Sequence, residues 1–407
     1  MGHTKIFLLL SIERKNPVVK AKRPLKFLIV SGEISGDIYG SQIIEELRKI
    51  NKNIDFIGVG GKNMAEKKIR LLYSSVNWSS IGYIESLKKV PRLYFVYLNL
   101  KTVLVEEKVD LLICIDFPGF NMRLVRYAKK LGIPSIYLFP PAKFATDPDD
   151  VKDAALNITQ VCASFRRTYE VYRKAGANVE FVGHPIVDLP LPSLDKKQFI
   201  KKHNINDNSR IVGMLPGSRF SEIDQLLPLL LETAKIVYKN NPNSHFMIPL
   251  LSKKYGGNSE YGKIVDKFRE KYELPLTLIW DSSHEVLQHV DCAVVTSGTA
   301  TLEAAFINVP MIIIYKVSNF TAFIARLFNR IPKFIGLPNL VLDEKIVPEL
   351  IQDDLNPQNL ALEIEKLLSN DDLCKEMKAK LKPIRMQLGE RGVSGRLAQL
   401  IIRTIGY

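Results

Sequence analysis

Four short stretches hold the residue types that bind or move charge, and each follows directly on an apolar run. Ser31–Asp37 reads SGEISGD after FLIV. Gly32 and Gly36 let the backbone turn tightly, and the free amides of a helix expected from about Ile38 suit an anion, with Glu33, Ser35 and Asp37 in the same turn. The spacing is not G-x-G-x-x-G, which speaks against a dinucleotide fingerprint, and Ser35 or Asp37 as a plain helix N-cap is the alternative. Ile115–Asn121 reads IDFPGFN. Asp116 ends a strongly apolar run and Pro118-Gly119 forces a turn before Asn121. A carboxylate half withdrawn from water at a strand's carboxyl end suits a general base, and capping of the helix that carries Arg123 and Arg126 is the competing role.

The other two stretches read LPGSRFSEI (215–223) and TSGTATLEAA (296–305). In the first, Gly217 and Ser218 present backbone donors, Arg219 can neutralise phosphate, and Glu222 falls in the first helical turn. Arginine beside glycine amides at a helix start points to a diphosphate, against the alternative of a solvated surface arginine. In the second, Ser297, Gly298 and Thr299 offer hydroxyls and amides at a helix N-terminus, a resting place for a nucleotide diphosphate. Glu303, one turn on, is placed either for ribose hydroxyls or as an ordinary capping carboxylate.

Metal chemistry is not expected. His284 and His289 are five apart and do not share a helix face, and no carboxylate completes a ligand set. The DPD of Asp147–Asp149 reads as a solvated acidic loop, and His184 in GHP as a packing residue between domains.

These loops need strands to position them. Likely strands alternate with amphipathic stretches, the pattern of βαβ units around parallel sheets. In the first half they are Phe27–Ser31, Asp55–Val59, Leu111–Ile115, Ser135–Phe139 and Gln160–Ala163. In the second half they are Ile211–Leu215, His245–Pro249, Thr277–Trp280, Cys292–Thr296 and Met311–Tyr315. Two such sets predict two doubly wound domains, joined near Gly183–Leu194, where GHPIVDLPLP breaks the periodicity with three prolines. Residues 1–24 read as an extension before the first strand. Ligands of open parallel sheets sit beyond the carboxyl ends of strands, where all four stretches fall.

With 407 residues, 46% of them hydrophobic, the chain is long and apolar enough for two cores, which excludes disorder and fibrous classes. Cys114, Cys162, Cys292 and Cys374 lie far apart and form no CxxC, excluding zinc ribbons and pointing to a reducing compartment. Net charge is +14, and residues 1–185 carry 29 Lys and Arg against 18 Asp and Glu, so the positive field sits mainly in the first half and suits an anionic partner there. Nucleic acid is disfavoured, because basic residues are not gathered into one arm and no recognised module is present. No apolar run is long enough to span a bilayer, and IFLLLSI at 6–12 is too short for a signal sequence, so a cytoplasmic protein is expected. Lys88–Lys101 and Phe320–Phe334 set bases beside Tyr, Phe and Leu. That mixture fits a helix in a membrane interface or a core helix with a basic edge.

In their order, SGEISGDIYG, GVGG with Met64, IDFPGFNMRL, FVGHPIVD, LPGSRFSEI, SGTATLE, PMIIIYK and GLPNL resemble the lipid-A-disaccharide synthase family of GT-B glycosyltransferases, over about residues 27–360. The resemblance implies two facing Rossmann-like domains with a cleft between them. An acceptor unit would span 25–185 and a UDP-sugar unit 186–380, with a helix in 381–407 returning to the first. It implies inverting transfer of 2,3-diacylglucosamine from UDP to 2,3-diacylglucosamine 1-phosphate, forming a β(1→6) disaccharide at the inner-membrane surface. Asp116 would be the base that takes the acceptor 6-hydroxyl proton. Arg219, Ser297, Gly298, Thr299 and Glu303 would hold the nucleotide, and Asn339 of GLPNL would face the cleft. No cofactor or metal is implied, since Arg219 and a helix N-terminus can offset the leaving diphosphate. Two stretches depart from the family pattern: FPPAKFATD (139–147) stands where SPxxWAWR is usual, and DFPGFN has Gly119 in place of a second aspartate. Both lie in the acceptor half, which predicts an intact donor site beside an altered acceptor site that includes the DPDD segment.

Overall fold

A computed structural model of the chain describes residues 23–75, 78, 83–140, 148–189, 193–252, 258–317 and 333–406. Segments 1–22, 141–147 and 318–332 lie outside the described residues, and with them most of the amino-terminal extension, the FPPAKFATD departure and the Phe320–Phe334 stretch.

The first sheet has seven parallel strands in the order β3-β2-β1-β4-β5-β6-β7. They are β1 (Leu25–Ser31), β2 (Ile54–Gly60), β3 (Arg70–Ser74), β4 (Leu111–Ile115), β5 (Ser135–Leu138), β6 (Gln160–Ala163) and β7 (Val179–Phe181). The second has six, in the order β10-β9-β8-β11-β12-β13. These are β8 (Arg210–Leu215), β9 (Ser244–Leu250), β10 (Leu276–Trp280), β11 (Cys292–Thr296), β12 (Met311–Tyr315) and β13 (Glu349–Ile351). Eleven helices matter below: α1 (Ile34–Ile50), α2 (Lys62–Glu66), α3 (Tyr83–Glu106), α4 (Pro118–Lys130), α5 (Pro148–Asn157), α6 (Arg166–Lys174), α7 (Lys196–Lys202), α8 (Phe220–Asn240), α9 (Ser259–Tyr272), α10 (Ser283–His289) and α11 (Thr299–Ile307).

Strand order reverses between β1 and β4 in one sheet and between β8 and β11 in the other, where Ser31 pairs with Ile115 and Leu215 with Val295. These are the switch points at which neighbouring loops diverge and open a crevice. The four loops that leave them are the four motif stretches.

The strands are buried on both faces, as parallel sheets require. In β1, Phe27 and Ile29 join one apolar cluster while Leu28 and Val30 join another on the opposite face. The first cluster continues through Val182 and Ile186 into Met214 and Ile223, so a single body of apolar packing crosses the junction between the sheets. The C-terminal helix Val393–Thr404 lies on α1, with Val393, Leu397 and Ile401 buried in the cluster that holds Ile43, Ile44 and Leu47. Around the junction, Asp188 accepts hydrogen bonds from the Gly392 (2.6 Å) and Ser394 (3.1 Å) amides. The Arg396 guanidinium donates to the Val182 carbonyl at 3.0 Å, and the His184 amide donates to the Leu388 carbonyl at 2.7 Å.

Three strands are absent from the sequence expectation: β3, β7 and β13. All three sit at sheet edges or next to them with half-exposed faces, and VEF and ELI place a carboxylate within three residues, so no apolar run marks them. Two local expectations are corrected. The helix after SGEISGD begins at Ile34 rather than near Ile38, with Glu33 at the N-cap position. The acidic stretch after Asp147 is not a loop: Asp149 and Asp150 form the first turn of α5, where carboxylates complement the positive helix end.

Candidate active site

The loop after β1 is shaped by close approach. A Cβ on Gly32 would overlap the Phe117 ring, and one on Gly36 would overlap the Ser31 hydroxyl, so α1 lies tight against β1 and β4. Asp37 is turned inward. Its carboxylate accepts from the Gly61 amide (2.6 Å), the Asn63 amide (2.9 Å), the Asn63 side-chain amide (2.8 Å) and the Met64 amide (3.1 Å). With four donors on a buried carboxylate, Asp37 ties α1 to the start of α2 and leaves no lone pair for a ligand; the expectation that it lines a phosphate loop, or caps the helix that follows β1, is corrected. Ser35 is half-buried on the same turn. Glu33 remains open to the crevice.

At the end of β4, Asp116 and Phe117 both take left-handed backbone conformations (φ 50° and 55°), which cost about 1–3 kcal/mol each for non-glycine residues. Three bonds hold the Asp116 backbone there. Its carbonyl accepts from Tyr137 Oη (2.7 Å) and from Asn121 Nδ2 (2.8 Å), and its amide donates to the Leu138 carbonyl (2.9 Å). Asn121 is fully buried, and its side-chain amide supports the Asp116 backbone. The Asp116 carboxylate does not cap α4. Among the described residues it accepts only the amide of the next residue (Phe117 N, 2.8 Å), and the N-cap position of α4 is Phe117 itself. Burial raises the carboxyl to about 6, the Glu33 carboxylate adds to the rise, and the Phe117 amide and Arg219 oppose it.

Arg219 reaches across the crevice. Its Nη2 lies 3.1 Å from Glu33 Oε1 and its Nη1 lies 2.7 Å from Glu222 Oε1. The backbone donors of this loop are not open, as the sequence suggested. Glu222 Oε2 accepts from the Ser218 (3.2 Å) and Arg219 (3.3 Å) amides, so a carboxylate of the chain fills the anion niche at the start of α8. Gly217 (φ 103°) closes the turn, and a Cβ there would overlap the Glu222 carboxylate.

The loop after β11 differs. Gly298 (φ 153°) holds the N-cap position of α11, and among the described residues no side chain caps the helix and nothing lies within 4 Å of the Cβ position. Among the described residues no side chain therefore takes up the first amides of α11 at Thr299 and Ala300, while the Thr301 amide turns back to the Gly298 carbonyl (3.1 Å). Ser297 is anchored, its hydroxyl donating to the Ile335 carbonyl (2.9 Å). Glu303 pairs with His284 Nδ1. Its charge also raises the Tyr39 hydroxyl, second to burial, so Glu303 faces α1 of the other sheet. Asn339 does not face the crevice. It is fully buried, donates to the Val347 carbonyl (2.9 Å) and Glu349 Oε1 (2.8 Å), and accepts from the Ile346 (2.8 Å) and Val347 (3.0 Å) amides. Every hydrogen-bonding position of its amide is used within the chain, which corrects the expected cleft-facing role.

The crevice thus brings together Glu33, Asp116, Arg219, Glu222, Glu303 and the open start of α11. Sequence reasoning missed Tyr137, which holds Asp116; Tyr315 at the end of β12, whose hydroxyl is raised by burial and answers to the charges of Arg219 and Glu222; and His284. His284 was weighed only as a metal ligand. It stands in the first turn of α10, opposite α11. Asp281 and Ser282 lead into α10 directly after β10, small polar residues after a strand as in the other loops but without their glycine.

Two Rossmann-like sheets with their switch points converging on one crevice make this a GT-B fold. The architecture matches the S. aureus MnaA–UDP co-structure (TM-score 0.61, 15% identity, covering 94% of this chain and 97% of that one). It also matches the UDP-GlcNAc 2-epimerase from Neisseria meningitidis bound to UDP-GlcNAc (TM-score 0.62, 15% identity, 93% and 100%). Sequence narrows the class. The family profile of lipid-A-disaccharide synthetase matches residues 27–402. A lipid-A-disaccharide synthase of Trichlorobacter lovleyi is 34% identical over 383 residues, 94% of this chain and 98% of that one. One of Geobacter sulfurreducens is 32% identical over 381 residues, 94% and 97%. The chain belongs to the lipid-A-disaccharide synthase family and is a glycosyltransferase.

Proposed function

We propose that the protein transfers 2,3-diacylglucosamine from UDP to 2,3-diacylglucosamine 1-phosphate, with Asp116 as the base for the acceptor 6-hydroxyl and inversion at the anomeric carbon. The observation that carries this reading is the Asp116 carboxyl, which is raised to about 6, stands at a switch point and accepts a single hydrogen bond among the described residues. Such a group is ionised at neutral pH yet basic enough to share a proton. In-line attack needs one base only. The first sheet presents Asp116 and the more basic half of the chain to the anionic acceptor, in the unit of residues 25–185. The second, in the unit of residues 186–380, takes the UDP-sugar.

The donor diphosphate rests on the uncapped amides of α11, because the matching niche at α8 already holds Glu222. Arg219 adds a cation as the diphosphate leaves, and Glu303 takes the ribose hydroxyls. Substrates that carry acyl chains place the enzyme at a membrane surface on the cytoplasmic side. No described helix is long and apolar enough to cross a membrane. The exposed face of α3, with Val90, Tyr94, Phe95, Leu98 and Val105, suits shallow contact instead.

Wild type and Asp116→Ala are compared with UDP-2,3-diacylglucosamine and 2,3-diacylglucosamine 1-phosphate, following UDP and the tetra-acyl disaccharide by mass spectrometry. Disaccharide from wild type alone is expected. A second reading, transfer to a changed acceptor, is favoured by Gly119 in the first turn of α4 just after Asp116, where a Cβ would meet nothing within 4 Å among the described residues. UDP binding without disaccharide would select it.

A further inference from the structure

Glu303, a carboxylate of the second sheet's crevice wall, is held by a histidine. His284 Nδ1 bonds Glu303 Oε1, and on the far side of the ring Gln288 Nε2 lies 2.6 Å from His284 Nε2. The Gln288 amide, one turn on along α10, donates to Nε2 and so fixes the proton on Nδ1, where it is given to Glu303. The other carboxylate oxygen, Oε2, accepts no hydrogen bond among the described residues. Glu303 lies in the first turns of α11, next to the uncapped amides, and its charge is felt by Tyr39 across the crevice. His284 and Glu303 are both largely buried, with 21% and 13% of their side-chain surfaces exposed, so neither swings freely.

We propose that His284 is a positioning residue of the donor site. Backed by Gln288, it locks one oxygen of Glu303 so that the other is presented to a vicinal diol of the bound nucleotide. This rests on the reading that Glu303 meets the ribose. A carboxylate that has to recognise two adjacent hydroxyls gains from being fixed beforehand, because a rotating one gives up part of the bond energy to ordering. A charge-assisted bond to a carboxylate also tells a hydroxyl from its absence, because a deoxy ligand leaves the buried oxygen without a partner.

The dissociation constants of UDP and 2′-deoxy-UDP are measured by calorimetry for wild type, His284→Ala, His284→Asn and Glu303→Gln. Wild type is expected to prefer UDP by about tenfold or more. His284→Ala loses most of that preference and binds UDP about tenfold more weakly, whereas its kcat at saturating donor stays within about threefold. Asparagine places an amide donor near the Nδ1 position, so His284→Asn recovers much of the preference, which a general loss of packing would not allow. If wild type binds UDP and 2′-deoxy-UDP equally, the ribose reading of Glu303 falls, and the role of His284 with it. If wild type discriminates and Glu303→Gln does not, while His284→Ala discriminates as wild type does, the ribose reading stands and the positioning role is overturned. Should His284→Ala fail to fold, His284→Asn decides: a folded His284→Asn with wild-type preference supports the role, and one without any preference overturns it.

Discussion

Asp116 owes its chemistry to groups distant in sequence. Burial raises its carboxyl first, Glu33 of the loop after β1 adds to the rise, and the guanidinium of Arg219 draws it down. Because the base must be ionised to accept a proton, kcat/KM is expected to be low in acid, to rise with pH through about 6 and then to level. Replacing Glu33 by Gln removes a negative charge beside Asp116 and one of the carboxylates that share Arg219, and both effects favour the ionised form. The acid limb of Glu33→Gln therefore moves to lower pH, read from a pH–rate profile; an unmoved limb would break the assignment. Removing the carboxyl, as in Asp116→Ala, costs about 10²–10⁴ in kcat, measured with UDP release under saturating substrates. Gly217→Ala brings a Cβ against Glu222 at a φ of 103°. It is expected to destabilise by about 1–3 kcal/mol, seen as a lower melting temperature.

Among the elements, the strand-end loops were legible because each set glycine and small polar residues directly after an apolar run, and strand order then carried all four to the two switch points. What each side chain does there was less legible. Asp37 looked like a ligand group until its four donors, from residues 61 to 64, closed around it, and Asn339 until Ile346 to Glu349 did the same. Hydrogen-bond saturation is a property of contacts between elements, and no local pattern encodes it. Edge strands escaped notice because half-buried strands need no apolar run. α3 shows the converse. Val96, Leu100 and Leu104 form its buried stripe, and the opposite face still carries Tyr94, Phe95 and Leu98 in the open. Wild type is expected to float with vesicles of anionic phospholipid, and Phe95→Ser with Leu98→Ser to reduce the bound fraction several-fold without loss of secondary structure, since both side chains are already in water.

On the scale of the whole molecule, the junction between the sheets carries a built-in sensitivity to acid. His184 is buried there among Tyr39, Phe139 and Phe165, with Nδ1 accepting from the Ile186 amide at 3.1 Å. Burial lowers its ring to about 3 from the ordinary 6.5. The unfolded chain takes up this proton before the folded one. Stability is therefore intact above about 6.5 and falls as pH drops toward 3, by about 1.4 kcal/mol per pH unit for a single group. Urea melts at several pH values would show a shallower decline between 6 and 4 for His184→Phe than for wild type. An equal slope would mean that other groups dominate.

The helix Val393–Thr404 lies on α1, and its amides hold Asp188. During synthesis this arrangement inverts the usual sequence of events. The surface of α1 that carries Ile43, Ile44 and Leu47 leaves the ribosome well before its cover, which follows on the order of tens of seconds later at typical elongation rates of about 5–20 residues per second. Through that interval the first sheet is a half-finished domain with an apolar face in water, although every one of its strands has been made. A nascent chain arrested before residue 393 should bind chaperones that the finished chain does not, and a gene split at the junction should yield an amino-terminal half that stays insoluble until the last helix is supplied in trans.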